Sequence, residues 1–221
     1  MRTAIKHILG RTYKPLLERY LSSLRTYCQE GIRLEIPPQV FHPGFFSSTR
    51  LLLDQVKKLK LPGAGFLEPG CGSGLISIYA AQKGARVTAS DINPIAIEYL
   101  QMNSGKNQVQ LSTIRSDLFD NIPPQRFDII AINPPYYKND PLTEKDYAWF
   151  CGAHGEYFTK LFRQLSDYIH EKTEIMMVLC DGCDMEGIHR EARDHGFQMN
   201  CIMKKNSLLE YHYIFRISAI T

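Results

Sequence analysis

Ile129-Ile130-Ala131-Ile132-Asn133-Pro134-Pro135-Tyr136 is a run of four apolar residues stopped by two consecutive prolines. An apolar run of that length, bounded by a turn signal, reads as a strand buried on both faces of a parallel sheet. Neither proline carries a backbone N–H, and each holds the residue before it in extended geometry. A stiff, non-helical loop therefore follows the strand at its carboxyl end, which is where open α/β sheets bind ligands. The loop offers the Asn133 amide, backbone carbonyls that no helix consumes and the aromatic face of Tyr136. Carbonyls that accept two N–H bonds, beside a ring that stacks on the same plane, can grip a planar –NH2 group.

Outward from this strand, apolar segments alternate with helical ones. Toward the N-terminus the spacing predicts a helix over roughly 49–59, capped by Ser48 or Thr49. Then come a strand over 65–68, a helix over 74–83, a strand over 86–90, a helix over 94–102 with Pro94 in its first turn, and a short strand over 109–114. Beyond the tetrad the pattern predicts a helix over 156–170, a strand over 174–179, a helix over 185–195, and strands near 198–204 and 209–217. Strands alternating with helices imply a doubly wound, mostly parallel α/β sheet. The last two strands are too close in sequence for a crossover, so they form an antiparallel hairpin.

The 221 residues, 44% of them hydrophobic, suffice for one substantial core. One domain over 36–221 is expected, preceded by a short basic helical N-terminal extension over 1–35. Residues 3–28 carry apolar side chains at helical spacing, interrupted at Pro15. Ile32-Arg33-Leu34-Glu35-Ile36 alternates like a short strand, with Val40-Phe41 as its candidate hairpin partner. No apolar run is long enough to span a membrane, and the first ten residues do not read as a signal peptide. Six scattered cysteines fit a reducing cytoplasmic setting better than a disulfide scaffold. Net charge is +3, but residues 1–33 hold seven Lys/Arg against two Glu. Such an extension can touch RNA or an acidic partner, or present a solvated helix face.

Phe66-Leu67-Glu68-Pro69-Gly70-Cys71-Gly72-Ser73-Gly74 joins a strand to a helix. Glycines let the backbone turn tightly and approach a ligand. The spacing is not the G-x-G-x-x-G of a nicotinamide-binding loop, and a carboxylate at Glu68 repels pyrophosphate but suits a cation. Asp91 and Ile92 close the next strand, where an acidic side chain can accept from both ribose hydroxyls; the alternative is a helix cap. Asp117 and Leu118 follow the third strand, where Asp117 can accept from an adenine amino group or close a turn.

Taken together, Glu68 through Gly74, Asp91, Asp117-Leu118 and Asn133-Pro134-Pro135-Tyr136 resemble the motif series of class I S-adenosylmethionine-dependent methyltransferases. Within them the chain looks most like the HemK-type protein glutamine methyltransferases, over roughly Leu16 to Asp167. Val40 to Pro43 and Trp149 to Phe158 carry the rest of the likeness. The resemblance implies a Rossmann-like fold, S-adenosylmethionine as methyl donor and a planar nitrogen as acceptor. That acceptor is a glutamine amide of a protein, for instance one of the translation apparatus, or else an adenine or guanine base of RNA or DNA. It assigns catalysis to Asn133, Pro134, Pro135 and Tyr136, and cofactor binding to Glu68, Gly70, Cys71, Gly72, Gly74, Asp91, Ile92, Asp117, Leu118 and Asn133. Phe41, Phe46 and Tyr136 would face the acceptor, with Phe41, Phe45 and Phe46 equally readable as core. Leu142 to Trp149 is a candidate substrate loop. The chain departs from the family in its short N-terminal region, in Asp146-Tyr147-Ala148 before the second glycine segment, and in Cys180-Asp181 after the fifth strand.

Cys180 and Cys183, with His189 and His195 downstream, invite a zinc reading. The two histidines are six apart and do not share a helix face, so no metal is expected from that set. A nicotinamide oxidoreductase and a catalytically inactive cofactor-binding subunit are the remaining alternatives. The intact tetrad and the acidic residues speak against both.

Overall fold

A computed structural model describes residues 19–207 and 210–220. Strands β1 (Arg25–Gln29) and β2 (Ile32–Ile36) precede helix α1 (Ser47–Val56). Then come β3 (Gly65–Pro69), α2 (Leu75–Gln82), β4 (Arg86–Asp91), α3 (Pro94–Lys106), β5 (Ser112–Arg115) and β6 (Ile129–Ile132). The chain continues through α4 (Glu156–Leu165), β7 (Glu174–Cys180), α5 (Met185–Asp194), β8 (Phe197–Asn206) and β9 (Tyr211–Ala219). Seven strands form one sheet in the order β5-β4-β3-β6-β7-β9-β8. β3 to β7 pair in parallel, whereas β9 runs antiparallel between β7 and β8. The winding reverses between β3 and β6, so their carboxyl ends open a crevice at the switch point.

Burial on both faces follows from strand alternation. In β6, Ile129 and Ala131 join the core beneath α1, α2 and α3, while Ile130 and Ile132 join the core beneath α4 and α5. β7 divides in the same way, Met176 and Val178 against Ile175, Met177 and Leu179. No residue of β6 is more than 4% exposed, as its uninterrupted apolar run predicts.

The doubly wound sheet and its C-terminal antiparallel hairpin are as the sequence implies, and element ends shift by a few residues. Larger differences fall near the N-terminus. The helix expected to reach Cys28 does not; Arg25–Gln29 is a strand paired antiparallel with β2. Glu30 (φ 54°) and Gly31 (φ 76°) make a tight turn between them, the left-handed pair that two-residue hairpin loops require. Val40-Phe41 is consequently not the hairpin partner and lies in a loop. Asn103 of α3 and Asn107, which caps that helix at its C-terminus, complete the outer edge of β2. Asn103 Oδ1 accepts from Glu35 N and its Nδ2 donates to the Glu35 carbonyl, and Asn107 bonds the backbone of Arg33 in the same way. Ile32, Leu34 and Ile36 are buried in the core, so a division after residue 35 runs through β2 rather than beside it. The remainder of the expected basic helix, residues 1–18, lies outside the described residues. No helix among the described residues is long and apolar enough to cross a membrane.

Neither Ser48 nor Thr49 caps α1; Phe46 occupies the cap position without a side-chain bond. Both residues sit buried in the first turn of the helix, and Thr49 Oγ1 meets Asn133 at the carboxyl end of β6.

Candidate active site

An open cleft of about 1050 Å³ lies at the switch point, walled by the loops after β3, β4, β5 and β6. Gly70 (φ 72°) and Gly72 (φ 49°) line it in the left-handed region. Nothing lies within 4 Å of the position a Cβ on Gly70 would take, so a methyl group there would meet open space. Gly74, at φ 76°, does not line the cleft and so departs from its assignment to the cofactor. A Cβ on it would meet Leu100 Cδ1 of α3 at 2.2 Å, so this glycine lets α2 and α3 pack closely.

Glu68 is 4% exposed and reaches the cleft wall at the start of α2. Its Oε2 accepts from Ser77 N at 2.9 Å and from the Ser77 hydroxyl. Burial pushes its carboxyl up to about 8, against the pull of the Ser77 bonds and with a further push from Asp91. Asp91 is held by two backbone donors. Gly72 N reaches Oδ2 at 2.8 Å and Asn93 N reaches Oδ1 at 2.9 Å. Burial raises this carboxyl as well, outweighing those bonds. The cap of α3 is Asn93, whose Oδ1 accepts from Ile95 N, which leaves Asp91 to face the cleft beside Ile92 and the buried Cys71. Asp117 and Leu118 line the far end, with Asp117 2.6 Å from Lys160 Nζ. Three carboxyl groups thus face the cleft, and among the described residues no Lys, Arg or His lines it. Such a wall fits a ligand that carries positive charge and a ribose, as S-adenosylmethionine does, and disfavours a pyrophosphate.

At the mouth, Asn133 through Tyr136 close the cleft. Asn133 Nδ2 donates to Thr49 Oγ1 at 3.3 Å, and Asn133 Oδ1 accepts from Tyr136 Oη at 2.9 Å. The carboxamide is thereby held from both ends. Among the described residues none donates to the Pro134 carbonyl. Tyr136 therefore has a second role beside the expected stacking face, since its hydroxyl turns back onto Asn133. Burial holds that hydroxyl protonated, its pKa raised well above the ordinary value, so it acts as a donor.

The backbone N–H groups of Tyr136 and Tyr137 both donate to the Trp149 carbonyl, and Cys151 N donates to the Tyr137 carbonyl. These bonds hold the 146–151 segment against the tetrad. They also place Trp149 at the cleft mouth, its ring centroid 5.3 Å from Phe41 and 4.9 Å from Phe46. Phe41 lines the cleft. Phe46 does not; it packs behind Phe41 and Trp149 and lines a neighbouring hollow. Thr49, Ser116 and Tyr157 also line the cleft. Tyr157 enters from the first turn of α4, and burial raises its phenol pKa, with Asp91 and Asp117 adding to the effect. Trp149 and Tyr157 fall in the second glycine segment, the one signal that could have found them. Thr49 has none, since it is 84 residues from Asn133.

The considered zinc set does not assemble. His189 packs edge-on against Phe215 at 5.3 Å, and His195 Nδ1 lies 2.9 Å from the Glu191 carbonyl. All six cysteines are free.

The family model described as the methyltransferase small domain matches residues 33–180. A Methanocaldococcus jannaschii protein, provisionally named a protein N5-glutamine methyltransferase, is 42% identical over 108 residues, 48% of this chain and 52% of its own length. The chain thus spans about half the length of the curated relatives it matches. Among solved structures, the E. cuniculi Mtq2–Trm112 complex, responsible for methylation of the eRF1 translation termination factor, superposes with TM-score 0.63. It is 18% identical, over 83% of this chain and 99% of that one. The T. thermophilus 16S rRNA N2 G1207 methyltransferase, in complex with AdoMet and guanosine, superposes with TM-score 0.64. It is 17% identical, over 90% of this chain and 50% of that one. These likenesses agree with the cleft at the β3/β6 switch point, and the chain belongs to the methyltransferase small domain family.

Proposed function

We propose that this chain methylates a planar nitrogen, most readily the side-chain amide of a protein glutamine, with S-adenosylmethionine as donor. The observation that carries the reading is the Asn133 carboxamide, anchored by Thr49 and Tyr136 at the mouth of an acidic cleft. When bound, S-adenosylmethionine supplies a methyl group on a sulfonium that already carries its leaving group. The chain's own residues hold the two partners. Asp91 would accept from the ribose hydroxyls, Glu68 would face the ammonium end, and Asp117 and Leu118 would border the adenine.

The chemical difficulty lies with the acceptor, whose lone pair is conjugated. Asn133 Oδ1 and the Pro134 carbonyl can accept its two N–H bonds, which draws the lone pair back onto nitrogen. Positive charge grows on that nitrogen during attack, so both bonds strengthen on the way to the transition state. The product nitrogen is acidic enough to lose its proton to water, so no side-chain base is required.

The Mtq2–Trm112 complex, responsible for methylation of a translation termination factor, favours an acceptor in the translation apparatus. A second reading, an adenine or guanine base of RNA, is favoured by the Phe41 and Trp149 rings at the mouth, which offer a stacking surface. The basic stretch before residue 33 suits it too. Labelled S-adenosylmethionine added to cell extract, followed by nuclease or protease treatment, separates them, with Asn133→Ala as control. Label lost to protease and dependent on Asn133 supports the protein acceptor, and label lost to nuclease supports the base. No label in either, with cofactor still bound, would sink both.

A further inference from the structure

We infer that Cys180, Asp181, Cys183 and Glu210 form a closed structural zinc site, where the end of β7 meets the turn into β9. The sequence pairs these cysteines with histidines, and the fold supplies carboxylates instead. Cys180 Sγ and Cys183 Sγ are 3.9 Å apart. Two thiolates on one tetrahedral zinc, each about 2.3 Å from the ion, stand about 3.8 Å apart. Cys180 Sγ and one carboxylate oxygen each from Asp181 and Glu210 all lie within 4.8 Å of one another. Three ligand atoms thus converge from two short segments, with the Cys183 thiol beside Cys180 to supply the fourth, and two thiolates with two carboxylates suit zinc better than a hard cation.

The backbone around the cluster is already fixed. Cys180 pairs with His212 in the β7–β9 ladder, Asp181 N donates to the Tyr211 carbonyl at 3.0 Å, and Cys183 N donates to the Cys180 carbonyl at 3.1 Å. Cys180 N points at Cys183 Sγ at 3.4 Å, a contact that favours a thiolate there. Outer partners are present as well. Glu210 Oε1 lies 3.3 Å from His212 Nε2, and His212, 1% exposed, has Ser47 Oγ 3.3 Å from its Nδ1. Ligating carboxylates are ordinarily oriented by such second partners.

Binding forms two zinc–sulfur and two zinc–oxygen bonds and releases one proton from each thiol, so affinity climbs with pH. Occupancy would pin the 180–184 turn against the tetrad. A Cβ on Gly182 would come within 3.0 Å of the Tyr137 ring, which shows how closely that turn backs the loop. The inference is independent of which acceptor is methylated.

The test uses the full chain, stripped with chelator and kept reduced with a phosphine, titrated first with Co(II) and then with Zn(II). Expected is one bound cobalt with thiolate-to-cobalt charge-transfer absorption and tetrahedral d–d bands, displaced stoichiometrically by zinc. Cys183→Ser should weaken the charge-transfer absorption. Asp181→Asn, at an exposed position where folding is not at issue, should lower zinc affinity by more than the ~10-fold that loss of an outer partner costs. Absence of the charge-transfer band overturns the site. So does a zinc affinity unchanged in both Asp181→Asn and Glu210→Gln, which would leave a thiol pair without the carboxylates.

Discussion

Thr49 Oγ1 stands 3.3 Å from Asn133 Nδ2, joining the first turn of α1 to the end of β6. With Tyr136 Oη on the other end of the carboxamide, this contact decides which way Asn133 faces. Thr49→Val keeps the shape and removes the acceptor. A neutral hydrogen bond contributes about 1 kcal/mol, and 1.4 kcal/mol is tenfold. The turnover number should therefore fall by about five- to tenfold, with cofactor affinity little changed and Thr49→Ser restoring the rate. A loss confined to cofactor affinity would show that Thr49 shapes the cleft and does not orient the amide.

Tyr136→Phe separates the hydroxyl from the ring. It frees Asn133 Oδ1 to rotate but keeps the aromatic face, so the expected loss in turnover is about tenfold. Tyr136→Ala, which removes both, should cost more in turnover and also raise the acceptor KM. Equal kinetics for the two variants would mean that the ring contributes nothing.

The carboxyl of Glu68 makes stability depend on pH. Its folded pKa of about 8 exceeds the ordinary 4.5. The folded chain therefore keeps a proton that the unfolded chain gives up. The stability this contributes is fully present below about pH 4.5 and is lost as pH rises through about 8, on the order of a few kcal/mol in total. Urea midpoints should fall across roughly pH 5 to 8 in the wild type, and Glu68→Gln should flatten that fall. A wild-type midpoint that climbs over this range contradicts the assignment.

The same carboxyl predicts proton release on cofactor binding. If an ammonium group settles beside Glu68, it favours the ionised form, so binding near pH 7 should release up to about one proton. Calorimetry in two buffers of different ionisation enthalpy measures this directly. The release should vanish in Glu68→Gln; release that persists there comes from another group, with Asp91 the next candidate because its pKa is also raised.

Gly74 and Gly70 should fail in different ways. Gly74→Ala drives a methyl into Leu100 at a left-handed residue, so it should cost stability by about 2–4 kcal/mol. Gly70→Ala has open space around its Cβ and should cost only the backbone penalty of about 1–2 kcal/mol. Gly70 lines the cleft, so cofactor affinity should fall more than stability. Denaturation and cofactor titration on both variants check the pairing.

Most of the sheet was legible because its signals are local. The apolar run of β6 and the double proline after it, the glycine loop after β3 and the acidic residues after β4 and β5 each sit within a few residues of one another. They define where strands end, and at a switch point strand ends define the cleft. The N-terminal hairpin was misread because Leu24 and Tyr27 satisfy a helical period. Only pairing with β2, and the bonds from Asn103 and Asn107 to the far edge of β2, select the strand.

The residues themselves determined the alternating α/β order, the stiff loop that closes the cleft and the acidic character of its wall, because each depends on neighbours along the chain. The tertiary structure alone decided that Thr49 orients Asn133, that Phe46 stands behind Trp149 and that Gly74 serves packing. It alone brought Glu210 to Cys180 and Asp181 while the histidines faced elsewhere. Those outcomes depend on segments tens of residues apart meeting where the strands end, and no short-range pattern encodes such a meeting.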